Sequence, residues 1–137
     1  MKNWMITALT LTVLLFAGCS KYTTPRKVEK RLVEGSWKIS TFTLDGVSIA
    51  ENYATDIFSF GESGKISVKG GVLANGNWEM GLIKDPAVIY LSLPAIGGLE
   101  YLADDWQVLE MKKDQMRLKR NDSSGLSSTL VFKKTGS

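Results

Sequence analysis

The chain has 137 residues, with 17 lysines and arginines against 14 aspartates and glutamates, for a formal net charge of +3. An excess that mild, with no basic stripe interleaved with aromatics, gives no reason to expect nucleic acid as a partner. Histidine is absent, which excludes serine–histidine–aspartate triads, histidine general bases and histidine-containing zinc sites; the single cysteine cannot form a disulfide within the chain.

The first stretch runs from Lys2 into an apolar segment, Met5 to Ala17, interrupted by Thr7, Thr10 and Thr12. Thirteen residues at about 1.5 Å each reach roughly 20 Å, short of the roughly 30 Å hydrocarbon core of a bilayer. The segment closes as Leu15-Phe16-Ala17-Gly18-Cys19, two small residues before the only cysteine. This order resembles the lipobox of bacterial lipoproteins, with Phe16 where that family usually has leucine. The resemblance implies that 1–18 is a lipoprotein signal peptide, cut after Gly18, and that Cys19 carries lipid. It also implies, from Ser20 in place of an aspartate, sorting to the outer membrane, with the domain facing the periplasm. The expected partner is then the membrane, held through Cys19; an uncleaved anchor and a plain secretory leader are the alternatives.

Residues 19–34 read as a lipidated tether and a short helical turn. Pro25 blocks regular structure just before it, and Val28 and Leu32 lie four apart on one side of the turn. Arg26, Lys27, Lys30 and Arg31 have two readings: cations touching anionic lipid heads, or the solvated face of a turn that caps the domain behind it.

From Gly35 the hydrophobic period becomes two. Trp37, Ile39, Thr41 and Thr43 share one face of the first strand, with Phe42 and Leu44 on the other, and Asp45-Gly46 marks a turn. Further strands are expected at Tyr53 to Phe60, with Phe58 and Phe60 on one face, and at Lys65 to Lys69, with Ile66 and Val68 inward. Asn75-Gly76 reads as a turn before Asn77 to Met80, and Asp85-Pro86 opens a strand from Val88 to Leu93. Two more strands, Trp106 to Met111 and Gln115 to Lys119, meet at Lys112-Lys113-Asp114. The loop Asn121 to Gly125 precedes the eighth, Leu126 to Lys133. Eight short strands with turns between them and no sustained helical stripe predict an all-β domain over 35–134, with 135–137 as a tail. An open meander would leave long edges exposed, whereas closure as an eight-stranded antiparallel up-and-down barrel removes them.

Gly35-Ser36-Trp37 opening the first strand, Gly76-Asn77-Trp78, and Trp106-Gln107-Val108-Leu109 ahead of Met116-Arg117-Leu118 together resemble the small lipocalin-like domains of bacterial lipoproteins. The resemblance covers Gly35 to Lys134 and implies that Trp37 plugs the closed end of the barrel.

Trp37, Ile39, Phe58, Phe60, Trp78, Trp106 and Val108 are the candidate barrel lining, either as core or as the wall of a pocket. Pro94 to Leu102, with Ile96, Leu99 and Tyr101, reads as an apolar flap hinged at Gly97-Gly98. Strict alternation from Trp106 would bury Glu110 and expose Met111, so a bulge is expected there. Glu100, Asp104 and Asp105 read as solvated loop charges, and the one carboxylate of Asn121–Gly125 is too few for calcium. No catalytic set, metal site or cofactor is expected. Lys112, Lys113, Arg117, Lys119 and Arg120 concentrate charge on one hairpin, read as a solvated outer face or one turned toward an anionic surface.

Two functions follow. A small apolar ligand could sit in the barrel mouth under the flap, its polar head met by Thr41, Thr43 or Glu110. Alternatively a filled barrel could serve as a protein-binding envelope module, an inhibitor or assembly subunit, with the flap as contact surface. The occupancy of the interior separates the two.

Overall fold

The computed structural model of the chain describes residues 24–81, 87–121 and 127–135. The expected signal peptide over 1–18, Cys19, Asp85-Pro86 and residues 122–126 lie outside the described residues. A short helix, α1 (Pro25–Leu32), leads into β1 (Trp37–Leu44), followed by β2 (Val47–Ser48), β3 (Ile57–Phe60), β4 (Lys65–Lys69), β5 (Leu73–Met80), β6 (Val88–Ser92), β7 (Asp105–Met111), β8 (Gln115–Asn121) and β9 (Ser127–Lys134). Neighbours pair antiparallel from β3 through β9, and β1 pairs with both β9 and β3. The sheet therefore closes into an eight-stranded antiparallel barrel, with β2 as an extra strand on β1, an architecture compatible with a lipocalin-like fold.

The polar–apolar alternation dictates what fills it. Successive strand side chains point to opposite faces, and the inward set includes Ile66 and Val68 of β4, Ile89 and Leu91 of β6, Met116 and Leu118 of β8, and Leu130 and Phe132 of β9, all buried. The turn signal Asp45-Gly46 is met by a two-residue hairpin with φ of 50° and 79°, pairing Leu44 with Val47.

The strands and turns also divide the barrel into two ends. At one lie α1, the turns 61–64 and 112–114, and the close of β9. At the other lie the β1–β2 turn, a 3₁₀ turn at Ala50–Tyr53, the bend 70–72 and the flap. Pro25 does not merely block structure: it occupies the first turn of α1, where its missing N–H costs nothing, and Thr24 Oγ1 accepts the Lys27 N–H. Val28 and Leu32 are buried, so the turn caps the barrel.

Four expectations need correction. Trp37 and Ile39 do not share a face with Thr41 and Thr43: the β1–β9 register shifts at Ser40, which turns Phe42 into the core and leaves Thr41 exposed. The strand expected from Tyr53 begins at Ile57; Tyr53 itself closes the 3₁₀ turn and is buried against Phe42, ring centroids 5.5 Å apart. Asn75-Gly76 is not a turn but lies inside β5, paired with Ser67 and Ile66. A Cβ on Gly76 would stand 2.2 Å from the Ser92 carbonyl oxygen, so the glycine permits β6 to approach there. The strand opened by Val88 ends at Ser92, one residue early.

The expected bulge in β7 is present: the pairing skips Leu109 between Val108 and Glu110, and Met111 turns inward. Trp37 is fully buried, and its indole N–H donates to the Leu32 carbonyl at 2.9 Å, tying α1 to the barrel floor. Trp37→Ala should cost roughly 3–5 kcal/mol of a typical total of about 5–15. Trp37→Phe should lose about 1–3 kcal/mol, chiefly from the orphaned carbonyl. Urea melts of both variants check this, and a loss below about 1 kcal/mol for the alanine variant would sink the floor-plug assignment.

Candidate functional site

The end opposite α1 is built around the flap. Gly97 and Gly98 take left-handed conformations with φ of 55° and 82°, turning the chain into a 3₁₀ segment, Leu99–Tyr101. This reversal drives Leu99 and Leu102 fully into the core and leaves Ile96 and Tyr101 about half exposed. The segment is therefore a folded plug, not the flexible connection its composition suggests.

Three side chains of the barrel hold it by its backbone carbonyls. Tyr53 Oη donates to the Gly98 carbonyl at 2.7 Å, and Trp106 Nε1 donates to that of Leu102 at 2.9 Å. Arg120 Nη1 donates to the Tyr101 carbonyl at 3.0 Å and to Asp104 Oδ2 at 3.2 Å, while Nη2 reaches Ser128 Oγ at 3.3 Å. The Arg120 guanidinium also lies 4.6 Å from the centroid of the Trp106 ring, a cation–π contact over a fully buried indole. Neither Tyr53 nor Arg120 stood out in the sequence as flap residues. The signal for Arg120 was present but ambiguous, since it sits in a run of cations that read as solvent-facing.

All seven candidate lining residues, Trp37, Ile39, Phe58, Phe60, Trp78, Trp106 and Val108, are buried. Four of them meet one another or neighbouring rings edge to face: Phe58–Phe132 at 5.3 Å, Phe60–Phe132 at 6.0 Å, Phe60–Trp78 at 6.4 Å and Phe42–Trp106 at 6.0 Å between centroids. The structure brings the lining together as a packed core. It does not bring together the polar groups expected to receive a ligand head. Thr41 faces outward, and Glu110, set outside by the β7 bulge, accepts from Gln115 Nε2 at 3.1 Å and pairs with Lys112 at 3.8 Å. Asp104, read as a free loop charge, is the partner of Arg120.

Of the three candidate flap residues, Leu99 is inside while Ile96 and Tyr101 are outside. Leu73 (78% exposed) and Val47 (63% exposed) lie at the same end. A Cβ on Gly97 would stand 2.5 Å from a Val72 methyl, so the bend before β5 abuts the flap. The result is an apolar rim above a closed mouth. Among the described residues no group of three or more histidine, cysteine, aspartate or glutamate side chains gathers to hold a metal. In comparisons with protein-family models, curated proteins and solved structures, nothing matches this chain.

Burial first, and then the charges of Glu100, Tyr101 and Asp56, push the Tyr53 phenol up to about 12 from its ordinary 10. The folded barrel thus favours the neutral phenol. Its contribution to stability is complete below pH 10 and is lost as the pH climbs from 10 to 12. Absorbance at the phenolate band should show one tyrosine titrating near pH 12, absent in Tyr53→Phe. The stability gap between parent and variant should narrow over the same window. A parent with no such late phenol would contradict the burial of Tyr53 beside the flap.

Proposed function

We propose that this chain is an envelope lipoprotein, held at the outer membrane through lipid on Cys19, whose lipocalin-like barrel serves as a protein-binding module. The observation that carries this reading is the packed interior. With Phe58 and Phe60 packed on Phe132, Trp78 on Phe60, Trp106 on Phe42, and Leu99 and Leu102 seated in the mouth, the barrel offers its surface rather than its inside. Of the seven large apolar side chains exposed among the described residues, five, Val47, Ile57, Leu73, Ile96 and Tyr101, lie at the end away from α1, with Tyr90 and Leu109 on the wall, and apolar exposure gathered at one end suits an interface. No catalytic step is proposed.

Carriage of a small apolar ligand is the competing reading, and the flap favours it in one respect: Gly97 and Gly98 give it a hinge. Such a ligand would have to displace Leu99 and Leu102 and break three hydrogen bonds to flap carbonyls.

A photoreactive amino acid at Ile96 or Tyr101 should give a discrete protein adduct in cells, and the same probe at Arg117 on the outer wall should not. Titrating the protein with fatty acids, isoprenoids and aromatic dyes should leave tryptophan emission unchanged. No adduct from the rim, together with a saturable emission change, would replace the module with a carrier. For the anchor, Cys19→Ala should abolish lipid attachment and move the domain from the membrane fraction to the soluble one. Each buried methylene is worth about 0.8 kcal/mol, and two acyl chains anchor stably. A variant that still pellets with membranes and is still cut after Gly18 would rule the anchor out.

A further inference from the structure

The floor of the barrel has a charge pattern that the rim does not need. Because Val28 and Leu32 turn α1 inward, its other positions face out, and Lys27, Lys30 and Arg31 line a groove of about 670 Å³ between the helix and the β7–β8 turn. Lys113 of that turn and Lys134 at the end of β9 complete its cations; Glu34 and Asp114 are its carboxylates. Five positive groups against two negative leave an excess of three in one groove. The other flank of α1, which shares Lys30, is balanced, with Arg26 and Lys30 against Glu29 and Glu62. The two ion pairs among the described residues, Lys112–Glu110 and Arg120–Asp104, use none of the groove cations. The groove is also held in shape, since the Lys134 N–H donates to the Asp114 carbonyl at 2.9 Å and the Lys134 ammonium lies 5.1 Å from the centroid of the Trp37 ring.

We infer that this groove docks the barrel floor on an anionic membrane surface. The occupant follows from charge and reach. Only six residue steps separate Cys19 from Pro25, a span of at most about 20 Å when fully stretched. A lipid on Cys19 therefore lets the groove come down to the bilayer, where its cations enter the field of acidic headgroups, which decays over about 8–10 Å. The inference rests on the lipid-anchor reading above. It adds an orientation: floor down on the bilayer, and the apolar rim turned away from it.

The test uses the full chain reconstituted on vesicles of phosphatidylcholine alone, or with about one third phosphatidylglycerol. Flotation reads the anchor, and amide hydrogen exchange in α1 and the 112–114 turn reads docking. Phosphatidylglycerol should slow exchange at both segments about ten-fold and leave Ile96–Tyr101 unchanged. High salt should reverse the effect without releasing the chain. The triple variant Lys27→Glu, Lys30→Glu, Lys113→Glu should lose the protection, as each cation near such a surface is worth roughly five-fold; the salt arm reads the same interaction without mutation. Flotation on both vesicles with equal exchange overturns docking and leaves the anchor standing. Flotation only with phosphatidylglycerol refutes the anchor and supports the groove, and flotation with neither refutes both. Equal protection by soluble glycerol phosphate would also overturn the membrane as occupant.

Discussion

An indole N–H donating to a backbone carbonyl outside the sheet is the interaction on which this barrel depends, and it is made three times among the described residues. Trp37 donates to Leu32 at the end of α1, Trp78 to Gly61 in the β3–β4 turn, and Trp106 to Leu102 in the flap, each at 2.9 Å. A barrel satisfies its strand backbone by closing, but the segments that cover its ends have carbonyls that no ladder can reach. A tryptophan solves both halves of that problem, since its ring fills the interior while its single donor secures one cover. The floor, the turn beside it and the mouth are thereby built from the core outward. A polar group buried without such a partner would cost about 1–3 kcal/mol.

That dependence decides how the interior is used. A side chain that pins an end segment cannot readily swing aside for a guest, because its hydrogen bond and its packing are lost together. The rings between the two ends interlock edge to face, with Phe132 meeting both Phe58 and Phe60. What varies chemically is the outside: a cation-lined groove beside α1, and apolar side chains around the flap. The molecule is polar end to end although its middle is uniform.

The strand pattern and closure were legible because burying one face forces a period of two, and because an open eight-strand meander leaves edges. The β7 bulge was legible for a sharper reason: without it a carboxylate, Glu110, would enter an apolar core. The β1 bulge was not, because Thr41 is tolerated on either face and raised no conflict until Phe42 had to find its place. Asn75-Gly76 misled because its turn preference is local, while Gly76 is held in β5 by the close passage of Ser92. Each residue of the candidate lining is buried. Its use as core rather than as wall depends on ring-to-ring distances that no one-dimensional pattern carries. Arg120 and Tyr53 were missed for the same reason, as their partners lie 19 and 45 residues away along the chain.

The direction of the strands relative to the two ends has a mechanical consequence. β1 begins at the floor, beside α1, and is bonded to β9 by seven residue pairs running from Trp37–Lys134 to Leu44–Ser128. A pull between a tether at the floor and a partner at the rim would act more along these strands than across them, since strands of a closed barrel tilt by about 35–45° from its axis. The β1–β9 ladder would then be loaded in shear, its pairs sharing the tension, instead of being peeled open one bond at a time. The same barrel tethered through a side loop would unzip. The seam between β1 and β3, joined in register only at Trp37–Phe58, is the place where a sideways force would find the wall thinnest.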